Sequence, residues 1–125
     1  MKKIINTSKA PAPIGPYSQA VMVGNMLYTS GQVAINPATN QLETDSIEHE
    51  TKLVMENIKA LLVEAGMDFS NVIKTSIFIS DMNNFSKINE VYGTYFSADF
   101  PARETVEVAR LPKDVNVEIS VIAVK

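Results

Sequence analysis

The chain contains no cysteine and only one histidine, His49, among its 125 residues. Without cysteine it can form no disulfide, supply no thiolate nucleophile and build no cysteine-type zinc site. A histidine-based metal site, or a Ser-His-Asp triad within one subunit, would depend on His49 alone. This residue lies in the first turn of a predicted helix, away from the apolar stripe, so we expect it on the surface. The sequence therefore predicts no metal site.

A long apolar segment and a cluster of basic residues are also missing. Lys2 and Lys3 are not followed by an apolar run of signal-peptide length, and no later segment has the length and apolar content of a membrane span. The net charge is −3, the isoelectric point is near 5.1, and the lysines are scattered along the chain. A nucleic-acid surface needs clustered positive charge. We therefore expect a cytoplasmic protein without nucleic-acid or membrane partners.

The order of apolar patterns predicts a single α+β domain over residues 1–125. Its two strand–helix–strand units imply parallel neighbouring strands with right-handed crossovers, which place both helices on one face of a mixed sheet of about six strands if the strand order runs one way. The other face carries further apolar side chains. Because large apolar patches are rare on soluble monomers, we expect oligomerisation to cover that face. The predicted strands are 2–6, 18–23, 26–34, 71–80, 103–108 and 117–124, and the predicted helices are 46–65 and 84–97.

Local signals add detail to these elements. Asp45 followed by Glu48 has the spacing of a capping box, and Gly66 has the position of a C′ glycine after the first helix. The strand at 71–80 places alternate residues on one face. These residues are Ile73, Thr75, Ile77 and Ile79.

The stretch from Phe100 to Pro112, FPARETVEVARLP, is the most informative part of the chain. After the Phe-Pro turn, polar and apolar residues alternate, which puts Arg103 and Thr105 on the same side of a strand. Glu118 is the one carboxylate in the otherwise mainly apolar strand that follows. We expect these two strands to be neighbours, so that Arg103 and Glu118 form either a small anion site with a base in it or a structural ion pair. Spacing alone leaves both possibilities open.

Four other positions are candidate ligand contacts, each with a plain structural alternative. The proline-rich loop 10–16 is stiff and therefore fixes the position of Tyr17, which either contacts a ligand or only packs against the protein. Gly31 inside a strand indicates a bulge, which either exposes its N–H and the Ser30 hydroxyl to a ligand or is only a bulge. Asn89 shares the apolar stripe of the second helix, so its amide needs a partner, either backbone or ligand.

Seven segments form a collinear set of motifs: Ala12–Ser18, Leu27–Gln32, Asn57–Ala65, Val72–Ile79, Asn89–Tyr92, Phe100–Arg103 and Val106–Asp114. Together they resemble the Rid family (reactive intermediate deaminases, also called the YjgF family) over the whole chain. Arg103 stands at the arginine of the FPAR motif, which resembles the imine deaminase group of that family. Several collinear motifs are more specific than any one of them.

The resemblance implies a chorismate-mutase-like fold assembled as a homotrimer, with clefts between adjacent subunits. It implies hydrolysis of 2-imino acids, such as 2-iminobutanoate and 2-iminopropanoate, to 2-keto acids and ammonia, with no metal and no organic cofactor. In this scheme Arg103 holds the substrate carboxylate, and Glu118 positions and activates water. The other residues placed around the substrate are Tyr17, Ser30, Gly31, Asn89 and Thr105.

The chain departs from the family pattern directly after the motif arginine. Many members have Ser-Cys there, whereas this chain has Glu104 and Thr105. In the family the cysteine contributes a backbone carbonyl that helps to seat the water, and Thr105 also has such a carbonyl. Strand alternation predicts that Glu104 points away from Arg103. The residue types suit the chemistry, because a planar guanidinium matches a carboxylate and imine hydrolysis needs only a positioned water, a base and a proton for nitrogen.

Two other functions stay open on the sequence alone. In the first, the same pocket binds a keto or amino acid and signals without turnover. Arg103 would suffice for that role, whereas a second negative charge at Glu118 would contribute nothing to it. The second is a ribonuclease or translation inhibitor, a role attributed to some relatives, which the acidic isoelectric point and the lack of a basic stripe disfavour.

Overall fold

Two helices cover one face of a six-stranded sheet in the computed structural model, which describes residues 1–125. This arrangement confirms the predicted α+β class and mixed sheet. Neither helix has the length and apolar content that a membrane span needs. The strands are β1 (Lys2–Ile5), β2 (Ala20–Val23), β3 (Met26–Thr29), β4 (Ile35–Asn36), β5 (Gln41–Leu42), β6 (Val72–Ile79), β7 (Ala102–Glu107) and β8 (Val117–Val124), and the helices are α1 (Ile47–Glu64) and α2 (Phe85–Gly93).

The strands of the large sheet have the order β1-β2-β3-β8-β6-β7. β6 and β7 are parallel and are connected through α2, while the other neighbouring pairs are antiparallel. This order shows that two predictions were wrong. The strands of this sheet before and after α1, β3 and β6, are not neighbours, because β8 lies between them. The strands that carry Arg103 and Glu118, β7 and β8, are not neighbours, because the crossover through α2 places β7 on the far side of β6.

Alternate residues of the strands face the helices or the uncovered side of the sheet, which we call the open face. On β6 the side chains of Thr75, Ile77 and Ile79 are buried under the helices, as predicted. Ile73 was predicted to join them but is 45% exposed. The pairing register of β6 with β8 shifts between Val72 and Lys74, and this irregularity buries Val72 instead.

The third strand ends at Thr29, not at residue 34, because the chain bulges after it. Tyr28 pairs with Ile122 and Gln32 pairs with Ile119, so four steps along one strand oppose three along the other. The additional residue lies at Ser30–Gly31, where glycine indicated a bulge. The ladder resumes at Gln32, whose N–H donates to the carbonyl of Ile119 at 2.8 Å.

The first helix is capped one residue later than predicted. The Ser46 hydroxyl accepts from the His49 N–H at 3.1 Å and is therefore the N-cap, whereas Asp45 was predicted to cap. Asp45 lies one residue too early to meet the same N–H. At the other end Gly66 has φ +73°, as expected of a C′ glycine. His49 lies at the surface as predicted and contacts Glu43.

The second helix ends at Gly93, four residues before the predicted end at residue 97. Beyond it, the N–H groups of Tyr95 and Phe96 donate to carbonyls three residues back, so the α-helix gives way to tighter turns. The aromatic rings of this segment pack on one another between α2 and the loop that leads to β7, with Phe96 between Tyr92 at 4.9 Å and Phe100 at 6.1 Å.

The open face has an apolar end and, at the opposite edge, a polar group of side chains. At the β1–β3 end, Ile4, Val23 and Tyr28 each remain more than 40% exposed. At the β6–β7 edge, Glu104 pairs with Lys74 at 2.9 Å and accepts a hydrogen bond from Ser76. Glu104 thus points away from Arg103, as the alternation predicted. The exposed apolar end is the part of this face that a second subunit would have to cover.

Candidate active site

The candidate site residues lie in two separate clefts. The first, which we call the Arg103 cleft, has a volume of about 480 Å³ and opens beside α2. Arg103 pairs across the sheet with Thr75, which is buried under the helices, so its side chain lies on the helix face. The cleft is lined by Asn89, Tyr92, Gly93, Phe100, Pro101 and Arg103.

The Arg103 guanidinium is held by one amide and two aromatic rings. Its Nη1 donates to Asn89 Oδ1 at 2.7 Å. The guanidinium carbon lies 5.1 Å from the centre of the Tyr92 ring and 5.7 Å from that of Phe85, both within cation–π range. Asn89 is exposed rather than part of the buried stripe, and its partner is this arginine side chain rather than backbone. The other N–H groups of Arg103 stay available to a ligand.

The Tyr92 side chain is itself held in place by a residue of the sheet, Thr75. Its hydroxyl donates to Thr75 Oγ1 at 3.0 Å, and both side chains are buried. Burial raises the pKa of the Tyr92 hydroxyl, so this group stays protonated and keeps donating. Because Thr75 is also the cross-strand partner of Arg103, the sheet, the ring and the guanidinium form one connected support.

Thr105 lies on the same face as Arg103, two residues further along β7. Its Oγ1 atom is buried and has no hydrogen-bond partner within the chain. Buried polar groups in folded proteins nearly always have a partner, so this hydroxyl is a candidate contact for a water molecule or ligand. Within one chain, Thr105 is not among the residues around Glu118, which lies on the other face of the sheet.

The second cleft, which we call the Glu118 cleft, opens on the open face and has a volume of about 320 Å³. Glu118 alternates along β8 with Val117 and Ile119, which are completely buried under the helices, so its side chain points the other way. Three of the predicted residues join Glu118 here, and these are Tyr17, Ser30 and Gly31. The rest of the lining includes an apolar wall of Ile14, Val33 and Ile35.

The Glu118 carboxylate is half-buried and has no cation or hydrogen-bond donor to stabilise its charge. Burial alone raises its pKa above the ordinary glutamate value. Its position is set by shape, because a Cβ atom added to Gly31 would lie only 2.7 Å from Glu118 Cδ. The absence of a side chain at Gly31 therefore lets the carboxyl group rest against the backbone of the bulge.

The Ser30 hydroxyl already makes two hydrogen bonds within the chain. It donates to the Gln19 carbonyl at 3.1 Å and accepts from Gln32 Nε2 at 3.2 Å. A hydroxyl has one hydrogen and two lone pairs, so only one lone pair is left for a ligand. Ser30 can thus accept a hydrogen bond from a ligand N–H or O–H, but it has no proton to offer a carboxylate. The Gly31 N–H makes no hydrogen bond within the chain and is the nearby donor.

Gln19 holds the proline-rich loop that carries Tyr17. Gln19 is 2% exposed, and its amide nitrogen donates to the carbonyls of Thr7, Ala10 and Pro11 at 2.9–3.1 Å. Its amide oxygen accepts from the Thr7 N–H at 2.8 Å. The sequence-based prediction missed this residue and singled out only its neighbours. The available signal was a glutamine at the border between a proline-rich loop, whose carbonyls need partners, and an apolar strand.

The fold is thus a small α+β domain whose sheet is covered by helices on one face, with an arginine cleft on the helix side and a half-buried glutamate on the open face. Residues 7–125 match the protein family described as Endoribonuclease L-PSP, and the chain therefore belongs to this family, which is the YjgF or Rid family. A RutC family protein of Saccharolobus solfataricus is 53% identical, with 100% of this chain and 99% of that protein covered. The 2-iminobutanoate/2-iminopropanoate deaminase of Mus musculus is 47% identical, with 100% of this chain and 93% of that protein covered.

Among solved structures, that of Escherichia coli TdcF with bound serine superposes with a TM-score of 0.95 at 46% identity, covering 98% of both chains. The family and the α+β fold with a mixed sheet and two helices, both expected from the sequence, are thereby confirmed. The serine in that structure is a small carboxylate ligand of the relative.

Proposed function

We propose that this protein hydrolyses reactive 2-imino acids, such as 2-iminobutanoate and 2-iminopropanoate, to 2-keto acids and ammonia. The observation that carries the proposal is the contrast between an arginine with open N–H groups and a half-buried glutamate without any partner. The guanidinium of Arg103 is suited to bind a substrate carboxylate, and the carboxylate of Glu118 is suited to act as a general base. The names of mammalian relatives at 47% and 49% identity support the same activity.

In this mechanism Arg103 binds the substrate carboxylate. Since Nη1 is engaged by Asn89 Oδ1, the remaining edge of the guanidinium is free for two parallel hydrogen bonds. The Asn89 amide nitrogen has no partner within the chain and can add a third donor. Tyr92 and Phe85 hold the guanidinium in place, so little conformational freedom is lost when the substrate binds.

Glu118 accepts a proton from water as the water oxygen forms a bond to the imine carbon. The imine nitrogen takes up a proton from solvent, which gives a tetrahedral intermediate with a hydroxyl and an amino group. Glu118 then passes its proton to the amino nitrogen, the hydroxyl loses its proton to solvent, and the carbon–nitrogen bond breaks. The products are a 2-keto acid and ammonia, so one water is consumed for each imine. The raised pKa of Glu118 makes it a better base than an ordinary glutamate, and the acceptor lone pair of Ser30 is suited to an N–H of the substrate.

We further propose that the complete site forms between two copies of the chain in a homotrimer. Arg103 and Glu118 lie on opposite faces of one sheet, so one small substrate cannot contact both in a single chain. Large apolar side chains are exposed at the mouths of both clefts, with Phe100 65% exposed at one and Ile14 69% exposed at the other. Contacts between two different patches generate a closed ring when the rotation closes.

The assembly is tested by light scattering at micromolar concentration. We expect a particle of about three times the chain mass of 13.7 kDa. A stable monomer that still hydrolysed imines would contradict the proposal of a shared site, but not the proposed activity. The cytoplasmic location expected from the sequence stays a prediction.

The activity is tested by following ammonia release from 2-iminobutanoate generated in the assay by an amino-acid oxidase or dehydratase. We expect release to be faster than the spontaneous hydrolysis of the imine. Binding of 2-oxobutanoate without faster release would favour the alternative, a non-catalytic module that binds a small carboxylate.

The hypothesis that this chain is a ribonuclease is less well supported than imine hydrolysis. The family description contains that activity, but a chain with a net charge of −3 and scattered lysines lacks the positive surface that RNA binding needs. We expect no binding of single-stranded RNA at low salt, where electrostatic attraction is strongest. Salt-sensitive binding in a filter or fluorescence assay would support the ribonuclease reading.

A further inference from the structure

The turn before β8 has an unusual backbone. Lys113 and Asp114 follow one another with φ values of 57° and 56°, in the left-handed region that residues with a side chain rarely adopt. A single residue of this kind is uncommon, and two in sequence without glycine reduce the stability of the fold. Strain of this kind tends to lie at ligand-binding and catalytic sites, where the surrounding structure enforces it.

The surrounding structure does enforce this turn. Leu111 on one side is 6% exposed and Val115 on the other is 1% exposed, so both ends are anchored in the core. Across the turn, Arg110 Nε and Nη2 donate to the two carboxylate oxygens of Asp114 at 2.6 and 3.2 Å. The Asp114 N–H also donates to the Leu111 carbonyl at 3.0 Å. The Lys113 side chain takes part in none of these contacts.

Lys113 lines the Glu118 cleft, and its ammonium group forms no ion pair or hydrogen bond within the chain. The neighbouring cation Arg110 is engaged by Asp114, and Lys74 on the open face is engaged by Glu104. No stabilisation by Lys113 contributes to the pKa of Glu118, which burial alone raises. The charge of Lys113 therefore stays available at the cleft without neutralising the proposed base.

We propose that Lys113 binds a second anionic group of the substrate, so that the cleft accepts imines of acidic amino acids such as 2-iminoglutarate. This inference rests on the proposed function. With the first carboxylate on Arg103 and the imine carbon at Glu118, the substrate side chain extends along the apolar wall of the Glu118 cleft. A chain of methylene groups ending in a carboxylate matches an apolar wall with a cation on the same cleft. Water adds to this imine as to the shorter ones, giving 2-oxoglutarate and ammonia.

The test compares the affinities of two keto acids, which are products and do not require turnover. By calorimetry, 2-oxoglutarate should bind the parent protein at least as tightly as 2-oxobutanoate does. Lys113→Met keeps the length and removes the charge, and it should weaken 2-oxoglutarate binding about tenfold while changing 2-oxobutanoate binding less than about twofold. The control is Lys59→Met, which makes the same change in net charge on the exposed side of α1 and should alter neither affinity.

A second variant separates the lysine side chain from the backbone strain. Lys113→Gly relieves the left-handed conformation, so it should raise the melting temperature by about 2–6 °C at fixed protein concentration. It should nevertheless lose the same selectivity for 2-oxoglutarate as Lys113→Met. That combination would show that the strained turn is retained for ligand recognition rather than for stability.

An unchanged affinity ratio in both Lys113 variants, or a parent protein that does not bind 2-oxoglutarate, would overturn the inference. Such a result would leave hydrolysis of short imines untouched. Conversely, a parent protein that binds both keto acids through Lys113 and Arg103 but releases no ammonia from any imine would remove the proposed function and leave the anion site in place.

Discussion

The Arg103 cleft and the Glu118 cleft are built in opposite ways. Arg103 is held by the Asn89 amide, by two aromatic rings and, through Tyr92, by buried Thr75, while its other N–H groups stay open. Glu118 has no polar partner and is positioned by the space that Gly31 leaves free. Hydrogen-bond and aromatic partners suit a guanidinium, because it stays charged at all working pH values. A carboxylate that is to act as a base must gain and lose a proton, and hydrogen-bond donors around it would stabilise only its charged form.

The largest difference between the two clefts should appear when the carboxylate of Glu118 is replaced. Glu118→Gln keeps the shape and removes the base, and a positioned general base contributes about 10²–10⁴ in rate. We expect turnover of 2-iminobutanoate to fall by that factor, while 2-oxobutanoate binds about as well as to the parent protein. Ammonia release and calorimetry measure the two quantities. Full turnover in this variant would make Glu118 structural and require another base.

The complementary change in the other cleft should act on binding. Arg103→Ala removes a charge-assisted pair, so 2-oxobutanoate should bind at least about tenfold more weakly. Arg103→Lys is the matched variant, because it keeps the charge but loses the planar fork, and we expect it to recover only part of the affinity. Equal affinity in all three proteins would show that the carboxylate binds elsewhere.

Gly31→Ala should disturb the Glu118 cleft without replacing any charged residue. The added Cβ would lie 2.7 Å from Glu118 Cδ, so the carboxyl group has to move. We expect turnover to fall about tenfold, since a misplaced base loses part of its ~10²–10⁴ contribution. In the Glu118→Gln background the same change should have little further effect on turnover. Independent, additive losses would mean that Gly31 acts on something other than Glu118.

The pH dependence of the rate should reveal the raised pKa of Glu118. A base must be deprotonated to work, so the acidic limb of kcat/KM should lie above pH 4.5, the ordinary glutamate value. Glu118→Gln should abolish this limb in its residual activity. A limb at or below the ordinary glutamate value would contradict the unsupported environment described for this carboxylate.

The smallest expected effect is on stability. Because the pKa of Glu118 is higher in the folded than in the unfolded state, the folded protein binds more protons between those two values and loses stability as pH rises through them. Glu118→Gln should therefore be slightly more stable than the parent protein at neutral pH, and this advantage should vanish below the unfolded-state value. Denaturant unfolding at pH 7 and pH 4 measures the difference. A constant difference at both pH values would contradict the assignment.

Much of the fold could be predicted from the sequence because local patterns decide it. The alternation in β6 and β8, the stripe of α1, Gly66 and the glycine bulge at Gly31 all depend on neighbours in the chain. The strand order could not be derived in this way. Arg103 and Glu118 were expected on neighbouring strands because β7 and β8 are consecutive, but the parallel crossover through α2 puts β6 between them.

The sequence predicted which residues belong to the candidate site, but not how they are arranged in the fold. Tyr17, Ser30, Gly31 and Glu118 do meet in one cleft, but Arg103 lies in the other with Asn89. The supporting residues were the hardest to find. Gln19 and Tyr92 contact residues 9 and 17 positions away in sequence, and no helix or strand period indicates a buried hydrogen bond across such separations.

The central claim, that one site takes Arg103 from one chain and Glu118 from another, is tested most directly by mixing two variants, each of which lacks one of these residues. Arg103→Ala and Glu118→Gln chains, co-expressed in equal amounts with different tags, should form mixed oligomers with about a quarter of the parent activity, because half of each residue is intact and pairing is random. The control is co-expression of the parent chain with the double variant, which should also give about a quarter. Activity no higher than that of the separate single variants, with half of the parent activity in the control, would contradict a shared site.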